Sequence, residues 1–285
     1  MQTVIRDAVP SDAESCGGIM HEAFGGLAKR HGFPSDFPSI DAAVGLARAL
    51  IDNDRVFGVV AEVDGRVIGS NFLSESDPVR GVGPITVDPK AQGIGIGRCL
   101  MRAVLDRANG AFGVRLLQDS FNTGSLALYA SLGFEVREPV LVMSGRPEGV
   151  PPAGTAVRPM NDGDIEACDA LYVRAHGVSR RGEVVDALRS LAPLVAERQG
   201  RVTAYMTAPG FWLANHGVAD SNDDMEALIL GAAAVAPVSF LLPIRQAILF
   251  RWCLDRGMKG VKPMTLMSRG DYRQPDRPYM PSVFY

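Results

Sequence analysis

The stretch VGPITVDPKAQGIGIGRCLMRAVL, residues 82–105, decides how this chain is read. Its β-branched opening, through Ile85, Thr86 and Val87, predicts a strand over 82–88. A glycine run follows at Gln92-Gly93-Ile94-Gly95-Ile96-Gly97-Arg98, and then apolar residues at Leu100, Met101, Val104 and Leu105 take the spacing of an amphipathic helix. Strand, glycine loop and helix in that order make an anion site. Glycines let the backbone curl so that successive N–H groups converge, and the helix N-terminus adds about half a positive charge at the same point. Gln92 adds side-chain donors on one flank and Arg98 a charge, so a pyrophosphate suits the junction. A P-loop would end in Gly-Lys-Ser/Thr, which is absent, and G-x-G-x-x-G fails because Leu100 stands three after Gly97. A glycine-rich turn holding no ligand is the alternative these residues leave open by themselves.

Working outward, the pattern predicts strand 3–7, helix 11–25, a Gly/Pro-rich loop through 40 and helix 41–52. Strands 56–63 and 66–74 follow, joined by the hairpin signal Asp64-Gly65. Beyond the glycine-loop helix at 95–109 come strand 113–119, helix 122–132 and strand 134–143. Strands and helices mixed in this order imply an α/β or α+β sheet with helices on its faces.

The chain also repeats itself. Thr3-Val4-Ile5-Arg6 followed by Asp12 and Cys16 recurs as Thr155-Ala156-Val157-Arg158 followed by Asp164 and Cys168. Gly133, Pro139 and Met143-Ser144 recur as Gly257, Pro263 and Met267-Ser268, at a shorter offset, so the second copy has lost a segment between its anchors. The Pro/Gly-rich stretch from Arg146 to Gly154 reads as an exposed linker. The expected domains are 1–146, a linker at 147–154, and 155–285. The second copy reads as strand 155–158, helices 162–175 and 183–197, strands 201–207 and 211–218, helix 222–235, strand 237–242, helix 244–256 and strand 261–268.

Composition narrows the function classes. The 285 residues suit two domains, and 47% apolar with 21% charged residues is a globular balance. A formal net charge of −3 supplies no basic field for nucleic acid. No apolar run reaches the roughly 20 residues of a membrane span, and the N-terminus has no export signal, which reads as a cytoplasmic protein. Cys16, Cys99, Cys168 and Cys253 stand apart without metal-ligand spacing and read as reduced thiols.

Gln92-x-x-Gly95-x-Gly97 resembles the Q/R-x-x-G-x-G/A signature of the GCN5-related N-acetyltransferase (GNAT) superfamily. Asn122-Thr-Gly-Ser-Leu-Ala-Leu-Tyr129-Ala-Ser-Leu-Gly133-Phe134 resembles that superfamily's second cofactor segment, N-x(6)-Y-x-x-x-G-F, at the expected place. The resemblance covers residues 1–146. It implies two tandem GNAT-like domains, each a mixed, mostly antiparallel sheet flanked by helices, and acetyl-CoA as the donor. Ile85, Thr86 and Val87 would pair with the pantetheine arm. Gly93, Ile94, Gly95, Ile96, Gly97 and Arg98 would frame the pyrophosphate, with Gln92 beside them, and Asn122 would bond the arm near its thiol end. Tyr129 would sit at the sulfur and return a proton to it. Without the resemblance, Tyr129 at helical spacing from Leu126 and Leu132 reads as core packing.

For the proton of the acceptor amine the residues offer Glu75, with Asp77, Asp119 and His21 as further choices; each also reads as a surface or capping residue. The loop from Lys29 to Pro38, with Phe33, Asp36 and Phe37, is expected to frame the acceptor, suggesting an amine with an apolar body. In the second copy Asn222-Asp223-Asp224 stands where a glycine triplet would be, so that half reads as a degenerate repeat without cofactor. Trp212 and His216 are its pocket candidates, and the aromatic tail ending in Pro281-Ser-Val-Phe-Tyr285 is expected to dock on a domain surface or wall the acceptor groove. The reading is a direct acetyl transfer to a small-molecule amine, in a chain for which an oligomer is compatible. Transfer of another acyl group, a protein lysine as acceptor, and an acyl-CoA sensor without turnover stay open.

Overall fold

The computed structural model describes residues 3–284; Tyr285 of the aromatic tail lies outside them. The first half runs β1 (Thr3–Asp7), α1 (Ala13–His31), α2 (Ile40–Ile51), β2 (Val56–Val63), β3 (Arg66–Ser74), β4 (Val79–Val82), β5 (Thr86–Val87), α3 (Ile96–Arg107), β6 (Gly113–Asp119), α4 (Thr123–Ser131) and β7 (Glu135–Gly145). The second runs β8 (Thr155–Pro159), α5 (Ile165–His176), α6 (Arg181–Ser190), β9 (Leu194–Arg198), β10 (Arg201–Met206), β11 (Gly217–Ala219), α7 (Asn222–Val235), β12 (Val238–Pro243), α8 (Ala247–Asp255), β13 (Lys259–Gly270) and β14 (Tyr279–Met280).

Three predicted elements come out differently, each for a local reason. The single strand 82–88 is two pieces, because Pro84 has no N–H to donate. β4 runs parallel to β6, while β5 pairs only with β3, through Ser70 to Thr86 and Gly69 to Val87. The helix over 183–197 ends at Ser190: Pro193 interrupts it, and Leu194–Arg198 becomes a strand between β8 and β10. Its hairpin turn, Gln199-Gly200, takes positive φ at both residues, as Asp64-Gly65 does in the first half. The strand over 211–218 shrinks to β11, because Pro209-Gly210 starts a loop that folds back through Phe211, Trp212 and Ala214.

The repeat is built into matching side-chain geometry. Arg6 clasps Asp12 at 2.7 and 2.9 Å and Glu62 at 2.8 Å; Arg158 clasps Asp164 at 2.7 and 2.8 Å and Glu197 at 3.0 Å. Both Asp side chains also accept a backbone N–H at the entrance of the following helix, and Cys16 and Cys168 are both fully buried behind them.

The sheets do not divide at the linker. A nine-stranded sheet has the order β1-β2-β3-β4-β6-β13-β7-β12, with β5 beside β3. Thus β13, the last long strand of the second half, lies antiparallel between β6 and β7 of the first. Reciprocally, β7 carries β12 of the second half on its other edge. The remaining strands form a second sheet, β14-β11-β10-β9-β8. α3 packs Leu100, Met101 and Val104, all fully buried, against the first-half sheet. At about 1.5–3 kcal/mol per buried side chain, that face fixes the helix and with it the loop at its start. No helix among the described residues is long and apolar enough to cross a membrane, and no cluster of three or more His, Cys, Asp or Glu residues could hold a metal ion.

Candidate active site

β4 and β6 pair only at their beginnings, Val79 with Gly113 through Gly81 with Arg115. Beyond Gly81 they part, and a cleft of about 440 Å³ opens. One wall is Ile85, Thr86 and Val87, whose inner edge carries no strand. The other is the start of α4, with Asn122, Ser125 and Tyr129. The floor is the glycine loop. Gly93 (φ 84°) and Gly95 (φ 96°) need the left-handed conformation, and a Cβ at either would point into open space. Gln92 to Gly95 are exposed, and no carbonyl or side chain among the described residues accepts from the amides of Gly93 through Gly97. Open amides at the N-terminus of a twelve-residue helix fit a diphosphate.

The remaining expected side chains have definite partners. Gln92 lines the cleft while its Nε2 donates to the Val87 carbonyl at 3.1 Å, which ties the loop to the strand end. Arg98 lines it as well, held by the Ser131 hydroxyl at 2.9 Å. Asn122 caps α4, its Oδ1 accepting from the Ser125 amide at 3.1 Å. Tyr129 is 5% exposed, packed edge-on to Phe134, and burial pushes its phenol up to about 12 against a hydrogen bond from Ser125 that pulls the other way.

Past Tyr129 the cleft continues into a narrower chamber of about 160 Å³; Phe24, Leu27, Ile85, Asn122, Ser125 and Tyr129 line both. The expected 29–38 loop begins only at Gly32, because α1 runs on to His31; Asp36 and Phe37 of it line the chamber, but Phe33 does not: it stacks on Phe121 at 4.5 Å. The second half supplies Phe211, Trp212, Met264 and the tail residues Val283 and Phe284. The tail therefore walls this chamber. Its earlier part docks as well, through Tyr272, Gln274 and Tyr279 on the buried carboxylate of Glu138.

Glu75 must be corrected. It lines neither space, because β3 carries it away from the cleft to the C-terminal end of α3, where it pairs with Arg107 at 2.9 Å. Asp77 caps α6, accepting from Gly182 and Glu183 amides at 2.7 and 2.9 Å. His21 lines neither space. His216 is buried between Glu183, at 3.3 Å, and Tyr205, and burial together with Arg180 lowers it to about 4. Of the carboxylates named from sequence, only Asp36 and Asp119 reach the chamber. Both bind Lys262 of β13, at 2.7 and 2.6 Å. Sequence reasoning missed Lys262 and Gln118. The signal for the first was a lysine inside the mainly apolar stretch 261–267 of the last long strand.

At the start of α7, where the second half would place an equivalent loop, Asp220 is held by Arg174, Arg201 and Arg277, and Asp224 by Arg198.

Comparison with known proteins agrees with this geometry. Residues 27–134 match the family model described as Acetyltransferase (GNAT) family. The mycothiol acetyltransferase of Thermomonospora curvata is 44% identical over 78 residues, a match that spans 26% of this chain and 26% of that relative. A candidate acetyltransferase of Pyrococcus horikoshii superposes with a TM-score of 0.77 at 16% identity, over 99% of this chain and 94% of the other. A tandem GNAT protein from the clavulanic acid biosynthesis pathway does so with a TM-score of 0.57 at 14% identity, over 94% and 98%. The two superpositions establish a shared fold over nearly the whole chain. The strand, the glycine loop and the Asn/Tyr helix all lie inside the segment, residues 27–134, that matches the GNAT acetyltransferase family.

Proposed function

We propose that this protein transfers an acetyl group directly from acetyl-CoA to the amine of a small molecule. In this reading residues 1–146 are the catalytic unit, 147–154 the linker, and 155–285 a GNAT-like repeat that has lost its own cofactor loop. The observation that carries it is the continuity of one cleft, from the open amides of Gly93 to Gly97, past Tyr129, into a mainly apolar chamber. At the start of α7 the second half has Asn222-Asp223-Asp224 and no glycine triplet to present open amides, which supports a single working site.

Acetyl-CoA bound in the cleft supplies an activated acetyl group and a thiol leaving group. The chain's own residues do the rest. Amides of the glycine loop and the Arg98 guanidinium hold the diphosphate. The free edge of Ile85, Thr86 and Val87 pairs with the amides of the pantetheine arm as an added strand would. Asn122, its Oδ1 committed to the helix cap, turns Nδ2 to the arm. Tyr129 keeps its proton at neutral pH and holds it at Oη for the departing sulfur. Asp36 and Asp119 replace Glu75 as the carboxylates that take the acceptor's proton; burial raises the Asp36 carboxyl, which makes it the better proton acceptor.

Calorimetry with acetyl-CoA tests the cofactor site. Gly97 is helical, and a Cβ there meets the side-chain tips of Leu128 at 3.4 Å and Val87 at 3.9 Å, so Gly97→Asp adds a charge with little backbone cost. Wild type is expected to bind one equivalent and Gly97→Asp none; a folded wild type that binds nothing overturns the reading. For chemistry, Tyr129→Phe is expected to keep acetyl-CoA affinity within about twofold and lose about 100-fold or more in kcat, the usual worth of a general acid.

A further inference from the structure

The chamber beyond Tyr129 is mostly apolar, yet besides Asn122, Ser125 and Tyr129, which it shares with the cleft, the polar side chains of Asp36, Gln118 and Asp119 enter it. Asp36 and Asp119 line it, and the lysine they share does not. Lys262 is 3% exposed; its Nζ sits behind the carboxylates and 5.1 Å over the Trp212 ring. Two carboxylates against one ammonium leave this corner with one negative charge in excess. Gln118 is the independent observation. It lines the chamber at 5% exposure, and neither its Oε1 nor its Nε2 has a hydrogen-bond partner among the described residues. An amide buried with both ends unpaired costs about 1–3 kcal/mol, a cost that a bound polar group removes.

From these contacts, and resting on the acetyl-transfer reading above, we infer that the acceptor is a small primary ammonium compound with an apolar body of benzene size. Its charged nitrogen lies against Asp36 and Asp119, and a hydroxyl or amide next to that nitrogen pairs with Gln118. The volume sets the size: the chamber has about 160 Å³, and a cavity of about 150 Å³ holds benzene. Charge sets the class, because a carboxylate ligand would meet two carboxylates at close range, and a neutral one would leave their excess charge unanswered. The second half thereby becomes part of the acceptor site: Lys262 on β13 pins the two carboxylates, and Trp212, Met264 and Phe284 close the apolar wall.

The test is binding of defined probes to the full chain saturated with coenzyme A, followed by calorimetry. Benzylamine is expected to bind at least tenfold more tightly than benzyl alcohol or benzoate, and 2-amino-2-phenylethanol more tightly than benzylamine. Asp119→Asn should erase most of the benzylamine preference, and Gln118→Leu should erase only the gain from the hydroxyl. Should Asp119→Asn fail to fold, the three-probe ranking on wild type decides alone. Benzylamine binding no better than benzyl alcohol, or not at all, overturns the inference, while coenzyme A binding reports separately on the cofactor site. Conversely, an amine preference in a chain that binds no coenzyme A would sink the acetyl-transfer reading and leave the amine site standing.

Discussion

Arg6 and Arg158 show how far a single residue can be read. The Arg/Asp spacing repeats in the sequence, and in each copy the guanidinium holds its Asp well below the ordinary carboxylate range, chiefly through the side-chain hydrogen bonds. Asp12→Asn and Asp164→Asn should each cost about 1–2 kcal/mol, below the full worth of a charged hydrogen bond because both arginines stay about a third exposed. A lowered folded-state value means that this stability is complete above the unfolded value near 3.9 and is lost as pH falls through the folded one. Denaturant unfolding from pH 7 down to pH 3 checks it: both variants should differ from wild type at pH 7, and the difference should narrow as the pH is lowered. The cleft's lining was legible for a related reason, since Gln92 to Arg98 and Asn122 to Tyr129 border it in the order in which they stand in the sequence. Glu75 misled because proximity along the chain says nothing about which end of β3 faces the cleft.

Elements were legible where local chemistry decides them and illegible where a neighbour does. The Asp64-Gly65 hairpin and the glycine-loop helix come out as the residues demand. α6 does not, because its ends depend on Pro193 and on a cap supplied from the other half. Asp77 takes the amides of Gly182 and Glu183, and a Cβ on Gly182 would stand 2.2 Å from the Ser76 carbonyl oxygen. Gly182→Ala is therefore expected to destabilise, by about 1–3 kcal/mol, although alanine is the better helix former by about 1 kcal/mol. Thermal unfolding decides: a raised Tm would mean that α6 is not seated on the 76–77 loop.

At the scale of the whole molecule the repeat was visible in sequence, and the exchange between its copies was not. The patterns of β7 and β13 say that each is a strand with a buried face; alternation does not name a partner. In the fold β13 has only first-half neighbours, and β7 has only second-half ones. That exchange is what brings Lys262 to Asp36 and Asp119, so the chamber beyond Tyr129 was hidden for the same reason. It also predicts how the chain behaves when cut. Residues 1–150 alone would leave β6 with only its short pairing to β4 and β7 with no partner strand, and Leu116, Leu117, Val140 and Val142 would lose the cover of Met264, Leu266 and Met267. An unpaired apolar edge of that length invites aggregation. The 1–150 and 151–285 pieces expressed separately should be insoluble or bind hydrophobic dyes, and co-expressed pieces should co-purify one to one and unfold in a single transition. A monomeric 1–150 piece that unfolds cooperatively and binds acetyl-CoA as tightly as the full chain would show that β6 and β7 can pair directly, and that the exchange serves the acceptor site alone.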